Sequence, residues 1–219
     1  MNSATATQSL SVSFTVGLYG IAFGAASVAA GFSIFQSCLL SLLAFSGASQ
    51  FAVVGVMSVG GTALSAITTA ALLGIRNTLY GLRMAPIVKV RGWRRVVAAQ
   101  ITIDESTGVA INQETLGEVA MRQGFWLTGF GVYILWNFFT LLGSLGAQSM
   151  GDPSAWGLDA AVPAAFLGLV WPRLTGSHER RLAILALILA VVVTPYISAG
   201  VPVILTAFLA AIFGWRTRL

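Results

Sequence analysis

Long apolar runs, parted by short breaks of glycine, proline or charge, fill this chain. Cut at those breaks, seven runs emerge at about residues 12–30, 34–58, 62–83, 123–147, 158–172, 182–197 and 200–215. Several approach the ~20 residues an α-helix needs to cross a hydrocarbon core. The fifth and sixth are short, which predicts tilted or broken helices, or helices extended into their flanks. Residues 84–122 form the one long polar-containing connection. In its second part, Val96, Val97, Ile101, Ile103, Val109, Ile111 and Leu116 are interrupted by Asp104, Glu105, Glu114 and Glu118. That pattern predicts either an amphipathic helix at the interface or helical pieces lining a polar cavity, and it is too charged to face lipid. The predicted fold is all-α, a polytopic membrane protein of about seven transmembrane helices forming one transmembrane domain over residues 1–219.

Composition strengthens the membrane reading. The chain is 57% hydrophobic and 9% charged, and the first formal side-chain charge is Arg76. A soluble domain needs charges on its solvated face, whereas a charge at the bilayer centre costs roughly 2.5–3.5 kcal/mol. The net charge of +5 does not indicate a nucleic-acid partner, because the basic residues sit in short segments between apolar runs. Arg83, Lys89, Arg91, Arg94 and Arg95 follow the third run, Arg173, Arg180 and Arg181 part the fifth and sixth, and Arg216 and Arg218 lie near the last residue. With seven crossings all three clusters fall on one face, which the positive-inside rule assigns to the cytoplasm. The expected location is the cytoplasmic membrane, with the N-terminus outside and the C-terminus cytoplasmic. The first apolar run has no basic segment before it and reads as a retained helix.

An internal repeat is visible. Phe23-Gly24 to Gly31 recurs in spacing as Leu142-Gly143 to Gly151. A polar turn and a helix with a small-residue interruption follow each: Ser46-Gly47-Ala48-Ser49 in one, Ala164-Ala165 and Gly168 after Pro163 in the other. Three helices would separate the starts of the copies, so the halves at about 12–83 and 123–197 are expected to run oppositely. Inverted repeats with matching broken helices mark secondary transporters, whose substrate sites lie near the midplane. The plain alternative is a coincidence among glycine-rich helices that pack closely.

The stretch from Ser41 to Phe51 carries the most local information. Ser41, Ser46, Ser49 and Gln50 interrupt an apolar run, and Gly47 can relax the backbone. A break there would free amides whose partial positive charge suits a carboxylate. The alternative is helix–helix glue, worth about 0.6 kcal/mol per bond. Arg76-Asn77 comes next, with Arg76 either snorkelling to headgroups or pairing inside the bundle with Asp104 or Glu105. A carboxylate held there can take up a proton during a transport cycle. Asp159 suits the start of a helix by its charge, and Asn137 is a candidate cavity or helix contact. Trp93, Trp126, Trp171 and Trp215 fit interfacial belts.

Other chemistry is disfavoured. One histidine, His178, and one cysteine, Cys38, do not make a zinc site. There is no phosphate-binding glycine loop ending in Lys-Ser/Thr, and no nucleophile has a visible base. No cofactor is expected, nor enzymatic activity.

Taken in order, Gly20-Ile-Ala-Phe-Gly24, Gly31-Phe-Ser33, the run Ser41–Phe51, Arg76-Asn-Thr-Leu-Tyr80-Gly81, Asp104-Glu105, Gly157-Leu-Asp159 and Ala165-Phe166 resemble the AzlC family, the large subunit of two-component branched-chain amino-acid exporters. The chain departs from the family pattern at Gly74-Ile75-Arg76-Asn77, where Asn usually precedes and His follows a Leu-Arg pair, and it lacks an early proline in its first helix. The resemblance implies export of valine, leucine, isoleucine or methionine, and a small AzlD-type membrane subunit. The expected substrate site comprises Ser46, Gly47, Ser49, Gln50 and Asn137, with Ala165, Phe166 and Gly168 opposite. Gln50 is expected to face the substrate, because a buried amide needs a partner. Arg76, Asn77, Asp104, Glu105 and Asp159 are expected to serve gating or proton coupling. A passive channel and a non-transporting assembly subunit are the competing readings; a channel would need a continuous polar-lined pore.

Overall fold

The computed structural model describes residues 2–151, 160–171 and 174–216. These residues form helices α1 (Ser3–Ala29), α2 (Ile34–Leu43), α3 (Gly47–Ser58), α4 (Ala63–Val88), α5 (Trp93–Gln100), α6 (Asp104–Asn112), α7 (Glu118–Ser149), α8 (Ala161–Val170), α9 (Ser177–Val193) and α10 (Val201–Arg216). No strand occurs among the described residues. By length and apolar composition α1 and α7 qualify as membrane spans. At 1.5 Å per residue, the 27 residues of α1 span about 40 Å, enough for a core about 30 Å thick.

Helices α1 and α7 form the central pair, and they run parallel. Asn2 N–H donates to Gln123 Oε1 at 2.8 Å, Ser13 Oγ to the Thr128 carbonyl at 3.4 Å, and Ser144 Oγ to the Gly24 carbonyl at 3.3 Å. Small residues allow this approach, since a Cβ at Gly24 would run into the Thr140 carbonyl oxygen and the Ser144 amide. The expected repeat paired the first of these helices with the second as oppositely directed copies. Their parallel packing overturns that pairing.

The reason lies in two segments that turn back inside the bundle. Helix α2 starts beside the α1 C-terminal end, where Ser27 and Ser37 hydroxyls share a 2.7 Å hydrogen bond, and descends past Thr140 at Ser41 to Tyr133 at Phe45. Helix α3 then climbs back: Phe51 meets Phe23 at 5.6 Å, and Val54 joins the cluster that holds Phe23 and Ala26. Residues 34–58 are therefore a re-entrant hairpin rather than one crossing helix. Helix α4 runs from the end where this hairpin enters to the opposite one, where Arg122 Nε donates to the Ile87 carbonyl at 2.7 Å. A second hairpin enters there. Helix α5 rises until Gln100 reaches Leu42 and Leu43, and Ile101 lies against Gly129. Helix α6 returns past Gly124 at Val109 to Gln113, which is hydrogen-bonded by Thr5 and donates to Gln8. Of the two expectations for the polar connection, helical pieces lining a cavity is the observed one.

Helices α1–α3 and α4–α6 thus share one plan in opposite directions: a long helix, a four-residue turn (30–33 or 89–92), a half-helix, a three-residue break (44–46 or 101–103) and a returning half-helix. Leu18-Tyr19-Gly20 and Leu79-Tyr80-Gly81 echo each other in the two long helices. The second copy begins at α4, not near residue 123.

Asn2 lies at the end that also carries Arg83, Lys89, Glu118 and Arg122. The expectation of an N-terminus opposite the first basic cluster fails accordingly, because the first hairpin does not cross and α4 brings that cluster back to the starting end. The turn joining α9 to α10 sits at the other end, with Gly200 against Ser65 and Ala199 beside Gly61.

Candidate functional site

The two breaks meet. Around them lies a cavity of about 120 Å³, lined by Val16 and Tyr19 of α1, Phe45–Ala48 and Phe51 of the first hairpin, Arg76 of α4, Ile103–Glu105 of the second hairpin, and Val132 and Trp136 of α7. A volume several times the ~10–15 Å³ that one water requires admits a small solute.

The break in the first hairpin is built by pairing the carbonyls of residues 40–44. Leu40 accepts from Ala44 N–H, while Ser41 and Ala44 accept from Gln50 Nε2 at 3.3 and 2.9 Å. Leu42 and Leu43 accept from Gln100 Nε2 at 2.9 and 3.3 Å, and Tyr133 hydroxyl also donates to Leu42. Backbone groups left unpaired at this depth would be costly, so two glutamine amides hold the kink in place. The remaining Gln50 oxygen accepts from Trp136 Nε1 at 2.9 Å, and Gln50 is fully buried.

On the far side of the break, the N-terminus of α3 faces the cavity. Ser46 is its N-cap but makes no side-chain capping bond, and its Oγ is buried without a partner. The first-turn amides of Gly47, Ala48 and Ser49 have no acceptor within the helix. This is a local excess of positive potential in an apolar wall. The N-terminus of α6 opposes it, with Asp104 and Glu105 in its first turn. Arg76 Nη1 lies 3.1 Å from Asp104 Oδ2, and Arg76 Nε is buried without a partner. Positive and negative groups thus stand around one small chamber whose other surfaces include Phe45, Phe51, Ile103, Val132 and Trp136. Such an arrangement is complementary to a zwitterion with an apolar side chain.

Of the expected site residues, the structure brings Ser46, Gly47, Arg76, Asp104 and Glu105 to this chamber. Ser49 and Gln50 lie off it: Ser49 Oγ donates to the Ala70 carbonyl at 2.9 Å, tying α3 to α4, and Gln50 is consumed by the break and by Trp136. Asn137 donates to the Tyr133 carbonyl within its own helix at 2.7 Å, and its Oδ1 is buried without a partner, as is that of Asn77. Phe166 supports Phe51 from behind at 6.2 Å, and Gly168 is exposed. Asp159 and the Ala165 side chain lie outside the described residues. The wall facing the first break is therefore α4 and α6, and α8 backs it from outside. As site residues, sequence reasoning passed over Tyr19, Ile103, Val132 and Trp136. The Leu-Tyr-Gly echo was the available signal for Tyr19.

Comparison with known proteins agrees with a membrane protein. The family described as AzlC protein matches residues 11–150. An uncharacterized membrane protein of Archaeoglobus fulgidus is 34% identical over 161 residues, covering 72% of this chain and 69% of that protein. The inner membrane protein YgaZ of Escherichia coli is 25% identical over 166 residues, covering 73% of this chain and 66% of its own length. No solved structure matches.

Proposed function

We propose that this chain, which belongs to the AzlC family, is a secondary transporter that exports branched-chain or other hydrophobic amino acids across the cytoplasmic membrane. One observation carries the reading: two half-helix N-termini of different chemistry meet at one apolar chamber. The substrate carboxylate sits at the α3 N-terminus, between Ser46 Oγ, the Gly47 and Ala48 amides and the Arg76 guanidinium. Its ammonium group sits against Asp104 and Glu105. The side chain of valine, leucine, isoleucine or methionine lies among Phe45, Phe51, Ile103, Val132 and Trp136. Half-helix ends meeting near the midplane of an inverted repeat are the usual place for such a site.

Export is driven by protons in this reading. When substrate leaves, Asp104 or Glu105 exchanges its ammonium partner for a proton, and Arg76 holds the remaining charge. The basic end, with Arg83, Lys89, Arg91, Arg94 and Arg95, faces the cytoplasm by the positive-inside rule, which places Asn2 there too. A small AzlD-type subunit completes the transporter.

Reconstituted vesicles preloaded with unlabelled leucine test the proposal. Entry of labelled leucine should be accelerated by the internal pool and should respond to an imposed pH gradient. A rate indifferent to internal leucine would indicate a channel, and no movement with or without the small subunit would remove the transport reading altogether. Asp104→Asn should abolish the pH response, and a fully responsive variant would exclude that residue from coupling.

A further inference from the structure

We propose that Trp136 sets the size limit for the substrate side chain, and that Gln50 and Gly47 are the positioning residues that hold its ring in place. The inference rests on the transport reading above and identifies which residues select the substrate.

Trp136 is 5% exposed, yet its indole forms part of the chamber wall. Three contacts fix the ring. Its Nε1–H donates to Gln50 Oε1 at 2.9 Å, its face lies along Phe23 at 6.2 Å, and Phe51 meets it edge-on at 6.4 Å. Gln50 cannot rotate to follow a moving indole, because its amide nitrogen is tied to the Ser41 and Ala44 carbonyls. The same side chain therefore shapes the α2–α3 break and aims the ring. Gly47 completes the arrangement: a Cβ there would lie 3.2 Å from Trp136 Cη2. Glycine's dihedral freedom is not needed at this helical position. What matters is that the first residue of α3 leaves room for the indole beside the amides proposed to bind the carboxylate. A rigid aromatic wall so close to the charged end of the chamber fixes how long and how wide the remaining apolar part is. Apolar pockets discriminate by roughly 10–200-fold per methylene-sized change, so ring position should decide the substrate order.

The test uses the full chain in vesicles and the series alanine, valine, leucine and phenylalanine, read as the ratio of transport efficiencies. Trp136→Leu should raise the phenylalanine-to-valine ratio tenfold or more. Gly47→Ala should push the ring inward and reduce leucine transport several-fold while sparing alanine. Gln50→Leu should shift the order in the direction of Trp136→Leu, and the double variant should add nothing further, as expected of a residue acting through the ring. Gln50→Glu keeps the acceptor for Nε1–H and should retain more of the wild-type order than Gln50→Leu. Thermal stabilisation of the solubilised protein by the same amino acids gives the order without transport. A wild-type protein that discriminates among them, together with Trp136→Leu unchanged within twofold by both readouts, overturns this inference alone. A wild-type protein neither transporting nor stabilised by any of the four overturns it together with the transport reading.

Discussion

The hairpin of α2 and α3 and the hairpin of α5 and α6 follow one path from opposite ends of the bundle, yet they are built from opposite chemistry. The first has no formal charge between Ile34 and Ser58; it makes its break from glycine, serine and glutamine, and presents a bare helix N-terminus. The second carries Arg94 and Arg95 at its entry and places Asp104 and Glu105 in the first turn of its returning helix. A backbone plan that creates a chamber halfway along the bundle does not by itself decide what binds there. The decoration does, and in the proposed reading the first copy supplies the amides for a carboxylate and the second the acids for an ammonium group.

Removing that contrast should have the largest effect. Asp104→Asn or Arg76→Ala breaks the 3.1 Å pair in a chamber where the side chains are only 21% and 30% exposed. Breaking a buried pair costs about 3–5 kcal/mol, and this partly open one belongs near about 3 kcal/mol. That cost falls on stability; the substrate separately loses a charge-assisted hydrogen bond worth about 1.5–3 kcal/mol, which corresponds to roughly a tenfold to hundredfold loss of affinity. Isothermal titration with leucine measures it, and a change below threefold in both variants would show that charge in the second hairpin does not serve the site.

The joint between the hairpins comes next. Gln100→Leu removes the donor to the Leu42 and Leu43 carbonyls, although Tyr133 still serves Leu42. One orphaned carbonyl costs about 1–3 kcal/mol. Gln50→Leu should be worse, because it is fully buried and strips the Ser41 carbonyl and the Trp136 indole at once. Melting temperatures in detergent should fall in that order, Gln50→Leu below Gln100→Leu below wild type. The reverse order would mean that the contact between hairpins matters more than the shape of either.

Legibility in the sequence followed the same division. The first hairpin was readable because four polar residues and a glycine stand in an uncharged run, so that the freed amides of α3 were anticipated. Its return to the entry side was not, since a 25-residue apolar segment from Ile34 to Ser58 is long enough to cross, and periodicity cannot tell a bend from a span. The second hairpin was hidden by its charges, which fit an interfacial helix as well as a cavity. The miscounted crossings then propagated to the direction of the repeat and to the side of Asn2. Gln50 was rightly judged to need partners, but they are carbonyls and an indole, supplied by a break whose geometry no linear spacing encodes.

A smaller effect separates binding from folding at the first hairpin. Ser46 Oγ is buried without a partner, so Ser46→Ala should leave stability unchanged or slightly raised. If the hydroxyl meets the substrate carboxylate, affinity should fall by about 1 kcal/mol, roughly fivefold. Equal affinity in Ser46→Ala would assign the carboxylate to the backbone amides and Arg76 alone.

The smallest effect concerns the turns that lead into the hairpins. The turn after α1 has Gly31 at φ 89, whereas the turn after α4 places Lys89 in the left-handed region at φ 53. For a residue with a Cβ that conformation costs roughly 1–2 kcal/mol. Lys89 nevertheless reaches Glu118 at 2.8 Å, an exposed ion pair that contributes little and is screened by salt. Lys89→Gly relieves the first term and forfeits the second, so its melting temperature in detergent should stay within a few degrees of wild type and rise relative to it as salt is added. Glu118→Gln keeps the backbone and removes the ion pairs to both Lys89 and Arg122, so it should be slightly destabilised at low salt alone. If Lys89→Gly instead melts far below wild type at every salt concentration, the entry to the second hairpin is held by its charge and not by its backbone, and the likeness of the two turns ends there.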